Sequence, residues 1–319
     1  MHDLVQQAPV LSSIPSASHG LTTCVPRQYV HKAAMAEVLL TGWERVAEDT
    51  FTIGAQWPRT HSFYTPVDGR YDPLLFAETV RQTIPLLSHL AYDTPFGHHL
   101  IWDHFRYELD PAATAVAATP AEIELRIACS DVKRRQGRFS ALVMDVTALR
   151  DGAPLGTARA RFTSHAPAVY RRLRGEYGDP SVVSRAVPLA PPLAPVRVGR
   201  DRFHDVVLSP TDADGVWQLR VDPSHPVLFD HPVDHAPGML LLEAARQAAL
   251  AATGPDHGAV LGLETVFSQY VEFDSPCWIE ATVLPQDDDA LTRTRVTARQ
   301  NDREAFSAVV TSTAGRAGV

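Results

Sequence analysis

Two helix-length stretches place charged side chains where the surrounding residues are almost wholly apolar. From Met239 to Ala252 the only charged or amide side chains are Glu243, Arg246 and Gln247, and the rest are Met, Leu or Ala. At spacings i, i+3 and i+4 the three share one helical face, and the apolar remainder marks a helix enclosed by protein. Ionised groups in such surroundings cost several kcal/mol each unless paired. They therefore either pair structurally or face a cleft, where an acid can move a proton and a guanidinium can hold an anion. The same Glu-x-x-Arg-Gln word recurs as Glu78, Arg81 and Gln82, at a constant offset of 165 residues. Two such faces meeting across a pseudo-twofold axis would line one shared cavity. Glu243 and Arg246, with Glu78 and Arg81, are accordingly the first catalytic candidates, and Gln247 joins them as a binding residue.

Other candidates flank the second helix. Pro237-Gly238 opens it: proline suits the first turn, and glycine lets a ligand or another backbone come close. Free amides and the positive end of the dipole would then face a carbonyl oxygen or oxyanion. Upstream, His225, His231 and His235 fall within eleven residues, interrupted by Pro226, Pro232 and Pro237. Those prolines prevent the helical i, i+4 presentation that a pair of metal-binding histidines normally uses, so no metal is expected. His231 or His235 held beside Glu243 as a general acid or base fits better, against the plainer alternative of loop histidines. His61 lies at nearly the repeat offset from His225 and is a candidate for the substrate pocket. Two basic clusters, Lys133-Arg134-Arg135 with Arg138 and Arg171-Arg172 with Arg174, read as solvated faces or as a dock for an acidic partner.

The elements that must position these residues repeat as well. Strand-like Val38–Leu40 and Phe51–Trp57 precede a helix over Pro73–Leu90. Strands follow over 98–109, 122–132, 139–149 and 155–165, the last two joined by the hairpin signal Asp151-Gly152. The second half replays this order: strands near 206–208 and 216–221, the helix from Gly238, then strands over 260–273, 277–284, 291–300 and 305–313. Pro85 should kink or end the first helix. Residues 1–20 read as a loose arm, 21–165 and 200–319 as two duplicated domains, and 166–199, where Pro188, Pro191, Pro192 and Pro195 crowd, as a proline-rich linker. Each half is thus a long central helix wrapped by an antiparallel sheet, an α+β architecture.

Composition narrows the function. The chain has 319 residues, 45% apolar and 21% charged, with a net charge of −8. That is a globular profile without the basic footprint of a nucleic-acid binder. No run of eighteen apolar residues suggests a membrane span, and the N-terminus has no signal-peptide pattern. Cys24, Cys129 and Cys277 are too widely spaced for a redox or zinc motif, so a cytoplasmic protein with reduced thiols is expected. Gly-x-Gly-x-x-Gly, Gly-Lys-Ser/Thr and Gly-x-Ser-x-Gly words are absent, which removes the usual support for nicotinamide, ATP and serine-hydrolase chemistry.

The segment Phe229-Asp-His231-Pro-Val-Asp-His-Ala-Pro237-Gly238 through Glu243-Ala-Ala-Arg-Gln247 resembles the active-site helix of hotdog-fold 3-hydroxyacyl-carrier-protein dehydratases. Over nearly the whole chain, a closer match is carried by several motifs. These are Val30-His31-Lys32, Glu37-Val-Leu-Leu-Thr-Gly-Trp43, the run Phe51 to Tyr64, Tyr71-Asp-Pro-Leu-Leu, and His231 to Glu243. In these the sequence resembles the A-factor (γ-butyrolactone) biosynthesis hotdog family of actinomycetes. The resemblance implies a tandem double hotdog and an acyltransferase that needs no cofactor. Its partners would be an acyl carrier protein bearing a 3-oxoacyl chain, and dihydroxyacetone phosphate, whose hydroxyl receives the acyl group. Aldol closure and dehydration would then give a butenolide phosphate on the way to an autoregulator of antibiotic production. On this reading Glu243 is the base, helped by His231, the Gly238 amide meets the oxyanion, and Arg246 holds the phosphate. Glu78 and Arg81 complete the cavity, with His235 and His61 contacting substrate. Two alternatives remain: a dehydratase or thioesterase of the same fold, and a non-catalytic protein that binds an acyl chain or butyrolactone.

Overall fold

Segments rich in β-branched and aromatic residues, separated by turn residues, pair into one twelve-stranded antiparallel sheet in a computed structural model that describes residues 23–254, 258–285 and 291–313. The strands of the first half are β1 (Leu40–Ala47), β2 (Thr50–Trp57), β3 (His99–Leu109), β4 (Ala121–Arg135), β5 (Arg138–Arg150) and β6 (Ala153–His165). Those of the second half are β7 (Leu208–Pro210), β8 (Val216–Leu219), β9 (Val260–Phe267), β10 (Cys277–Val283), β11 (Leu291–Gln300) and β12 (Arg303–Thr313). Spatial order is β1-β2-β4-β5-β6-β3-β9-β12-β11-β10-β8-β7. Read inward from either edge, the two halves follow the same order, and they join antiparallel through β3 and β9, where Phe105 lies opposite Thr265. The arm expected over residues 1–20 lies outside the described residues.

Three hairpins are set by their turns. Asp151 and Gly152 both take positive φ, as do Gln136 with Gly137 and Asn301 with Asp302, the conformation that matches the right-handed twist of the flanking strands. Alternation along the strands then turns one face inward: in β4, Ala121, Ile123, Leu125 and Ile127 are buried while Glu122, Arg126 and Ala128 are exposed.

Two long helices pack against this inward face. α1 (Pro73–Leu90) begins at Asp72, whose carboxylate accepts from the Leu74 amide, with Pro73 in the first turn. Both are good helix starters. Pro85 does not end it: the helix continues to Leu90, because loss of one backbone hydrogen bond is outweighed by burial of the flanking Ile84, Leu86 and Leu87. A short helix, α2 (Pro167–Arg174), follows β6, and residues 186–194 run without helix or strand. α3 (Gly238–Thr253) is buried at every position from Met239 to Ala251, as its Leu/Ala composition requires. Among the described residues, no helix is long and apolar enough to cross a membrane.

Candidate active site

The two Glu-x-x-Arg-Gln faces are built alike. Arg81 donates to Glu78 from Nε (2.7 Å) and Nη2 (2.8 Å), and Arg246 to Glu243 from Nε and Nη2 (both 2.8 Å). Gln82 donates to Glu78 and to the Glu37 carbonyl and accepts from the Leu39 amide; Gln247 does the same with Glu243, the Asp205 carbonyl and the Val207 amide. Each amide side chain thus ties its helix to the backbone leading into the edge strand. Each arginine also donates to a loop carbonyl, Val30 for Arg81 and Val198 for Arg246.

A second cation then separates the copies. Glu78 receives Lys32 Nζ at 3.0 Å. Glu243 receives Arg200, with Nε 2.7 Å from Oε1 and Nη2 2.7 Å from Oε2. The far side of the Arg200 guanidinium donates to Asp72 Oδ2 and the Phe63 carbonyl, each at 2.8 Å, and its face lies over the Phe63 ring. Arg200 therefore bridges Glu243 of α3 to the capping residue of α1. Two arginines and two acids leave that cluster neutral, and the side chains of Glu243 and Arg200 are 0% and 1% exposed. Burial by itself would raise the Glu243 pKa, but Arg200 and Arg246 outweigh it and hold the carboxyl down to about 2.

At the other copy the space is open. A cavity of about 760 Å³ lies between the middle of α1 and the start of α3. Glu78, Arg81 and Lys32 form its charged wall; Ile84, Leu100, Trp102, Leu241 and Phe267 contribute apolar surface. Lys32, Glu78 and Arg81 together carry one net positive charge. Burial raises the Glu78 pKa, but Arg81 and Lys32 hold it well below the usual carboxylate range. Asp230, also at the cavity, accepts from the amides of Ala33 and Ala34 and so pins the loop that carries Lys32.

Gly238 reaches this cavity, and a Cβ there would come within 3.3 Å of the Trp102 ring, which would have to give by a few tenths of an ångström. Unlike α1, α3 has no side-chain cap. His231 lines the cavity with its ring 46% exposed and Nδ1 3.3 Å from Asp230. His235 lines it too, its Nδ1 2.5 Å from Asp234. Asp234 accepts from the Tyr170 hydroxyl and lies near Arg174. Arg174 departs from the surface role expected of it. It is buried, paired with Glu272 and laid over the Tyr270 ring at 3.9 Å, bracing the cavity wall.

Four expected site residues stand elsewhere. Glu243, Arg246 and Gln247 do not reach the cavity, since Arg200 and the Val198–Val207 loop cover their face. The two charged faces thus do not share one chamber. His61 is a buried loop anchor: its Nδ1 accepts from the Phe63 and Tyr64 amides and its Nε2 faces Glu37 at 3.4 Å. His225 repeats that arrangement with Val227, Leu228 and Asp205. Among the described residues, no group of three or more His, Cys, Asp or Glu is arranged to hold a metal ion.

Lys32, Arg200, Asp72 and His31 were not singled out for chemistry from the sequence. For His31, Lys32 and Arg200 a second internal offset carries the signal: at 168 residues, Val30-His-Lys32 aligns with Val198-Gly-Arg200, and Glu37-Val-Leu-Leu with Asp205-Val-Val-Leu; Asp72 lies outside it.

Comparison with known proteins agrees with this architecture. A sequence profile of the A-factor biosynthesis hotdog domain matches residues 15–165 and again 183–315. A protein of Streptomyces virginiae named 2-oxo-3-(phosphooxy)propyl 3-oxoalkanoate synthase is 48% identical over 291 residues, 91% of this chain and 98% of that protein. One of the same name from Streptomyces coelicolor is 43% identical, covering 88% and 89%. Among solved structures, a putative oleoyl thioesterase from Lactobacillus plantarum superimposes with a TM-score of 0.51 at 11% identity, covering 82% of this chain and 95% of that one. An acyl-ACP thioesterase from Bacteroides thetaiotaomicron gives 0.50 at 12%, covering 81% and 96%. At such identities the likeness is one of fold.

Proposed function

Because the chain belongs to the A-factor biosynthesis hotdog family, we propose that the cavity beside Glu78 is where a 3-oxoacyl group leaves an acyl carrier protein thioester for the hydroxyl of dihydroxyacetone phosphate. The chain is an acyltransferase of the 2-oxo-3-(phosphooxy)propyl 3-oxoalkanoate synthase type. Its architecture is a tandem double hotdog, residues 21–165 and 200–319 joined by the proline-rich 166–199, and it works in the cytoplasm.

The observation that carries the reading is the Lys32–Glu78–Arg81 group, two cations on one carboxylate with Asp230 near them, set beside an apolar chamber. Glu78 consumes part of each cation, and the Arg81 side chain stays 21% exposed. Its free Nη1 and the remaining Lys32 hydrogens are suited to a phosphate, since charge-assisted bonds to phosphate are among the strong ones. The acyl chain would lie along Leu100, Trp102, Leu241 and Phe267. Its thioester carbonyl would meet the uncapped start of α3 at Gly238, where backbone amides and the helix dipole favour a developing oxyanion. Glu78, fully hydrogen-bonded, positions the two cations, and His231 and His235 contact substrate from the loop before α3.

Incubation with a 3-oxoacyl-carrier-protein and dihydroxyacetone phosphate, followed by mass spectrometry, tests this. Phosphorylated ester or butenolide is the expected product. Free 3-oxo acid or an enoyl product would instead indicate a thioesterase or dehydratase, and unchanged thioester a binding protein.

A further inference from the structure

Acyl transfer to a hydroxyl needs a group to take the hydroxyl proton. Glu78 is unsuited, because both of its carboxylate oxygens are already occupied by Lys32, Arg81 and Gln82. Its neighbour on the same wall, His31, is built differently.

His31 Nε2 lies 2.8 Å from His89 Nε2, and His89 Nδ1 lies 2.7 Å from the Thr94 carbonyl oxygen. A carbonyl can only accept, so the His89 proton sits on Nδ1 and His89 Nε2 presents a lone pair. His31 must then donate from Nε2, which leaves its own Nδ1 unprotonated. Among the described residues no hydrogen-bond partner of that atom is seen, and the ring lines the cavity beside Lys32 and Glu78. Burial, reinforced by the neighbouring His89, Arg81, His231 and His99, lowers the His31 pKa to about 3, so the lone pair is available at neutral pH.

The duplicated half shows that a histidine here is a choice. His31 and Gly199 both follow a short 3-10 helix in left-handed backbone, at φ 51° and 61°. The sealed half uses glycine, which adopts that region freely. The open half keeps a β-carbon there at a cost on the order of 1 kcal/mol. A strained residue retained at a cavity points to use of its side chain.

We propose that His31 is the catalytic base of the transfer and that His89 is the positioning residue that fixes its tautomer. This rests on the acyl-transfer reading of the cavity. The acceptor hydroxyl gives its proton to His31 Nδ1 as its oxygen bonds to the thioester carbon. The tetrahedral oxyanion then collapses, the C–S bond breaks, and the departing sulfur takes the proton from Nδ1, leaving ester, thiol and neutral histidine.

The test uses the full chain with a 3-oxoacyl-carrier-protein and dihydroxyacetone phosphate. His31→Asn should lower kcat roughly 10²–10³-fold, within the range of general-base catalysis, with KM for the triose phosphate within about threefold of wild type and an unchanged melting curve. His89→Leu should lower kcat about tenfold and shift the acid limb of the kcat–pH profile upward, as a freed imidazole protonates more readily. His89→Gln, whose amide oxygen can accept from His31 Nε2, should restore most of the loss. Nitrogen NMR of labelled wild-type protein should show His31 Nδ1 unprotonated at pH 7. A proton on Nδ1, or a fully active His31→Asn enzyme, overturns the assignment while leaving acyl transfer intact. A wild-type protein that makes no ester overturns the acyl-transfer reading and the base role with it.

Discussion

Glu78 and Glu243 hold equivalent places in two halves of one sheet and share the same arginine and glutamine partners, yet one borders a chamber and the other is walled in. The difference comes from three substitutions between the copies. Where the first half has Lys32, the second has Arg200, whose forked guanidinium serves two acids at once. Where α3 begins at Pro237 without a side-chain cap, α1 begins at Asp72, which supplies that second acid. Where His31 projects a ring, Gly199 projects nothing. A duplicated buried ion pair can therefore become structure or site depending on whether a neighbour fills the space beside it.

If the sealed copy is purely structural, breaking it should cost stability and leave chemistry alone. Glu243→Gln strands Arg200 beside a single acid and weakens the fold by about 3–5 kcal/mol, the range for removing one partner of a buried pair. Urea unfolding measures the loss, and turnover per folded molecule stays at the wild-type value. Reduced turnover in a correctly folded variant would return Glu243 to the reaction.

Acid should reveal the same difference at the level of the whole fold. Arg200 and Arg246 overcome burial to lower the Glu243 carboxyl from 4.5 to about 2. Its stabilisation is thus complete above pH 4.5 and lost as pH falls towards 2. His31, lowered from 6.5 to about 3 chiefly by burial, acts in the same direction, because the unfolded chain gains the proton first. Together they should remove up to about 7 kcal/mol between pH 6.5 and 3, read as a falling urea midpoint. A flat midpoint over that interval would contradict both assignments.

Arg81→Ala addresses the open copy. Lys32 and Gln82 still hold Glu78, so the fold should survive, while KM for dihydroxyacetone phosphate rises roughly 10–100-fold, the value of a lost charge-assisted contact. Unchanged KM would move the phosphate elsewhere in the cavity. The smallest effect belongs to the loop anchors: His61→Ala and His225→Ala each leave two backbone amides without their acceptor and should each cost about 1–2 kcal/mol. Thermal melting should show equal losses, with KM for both substrates unmoved.

Much of the fold could be read directly from the residues. The helix over Pro73–Leu90 follows from its apolar length and its Asp72-Pro73 start, the β5–β6 hairpin from Asp151-Gly152, and the enclosure of α3 from its Leu/Ala surface. The duplication itself lay in a repeated five-residue word. Misreadings arose where packing overrides local preference. Pro85 looked like a stop, but burial on either side carries the helix past it. Arg174 looked like one charge of a basic cluster, but it turns inward to Glu272 and Tyr270.

The sequence by itself determined that Glu, Arg and Gln share one face on each of two buried helices, because helical spacing is a local property. It could not determine what stands opposite each face. Arg200 reaches Glu243 from 43 residues away and Asp72 from 128, and Lys32 crosses to Glu78 from the loop before β1. Only the assembled sheet sets those distances, and at a few ångströms they decide whether the space beside a buried charge is filled or left open.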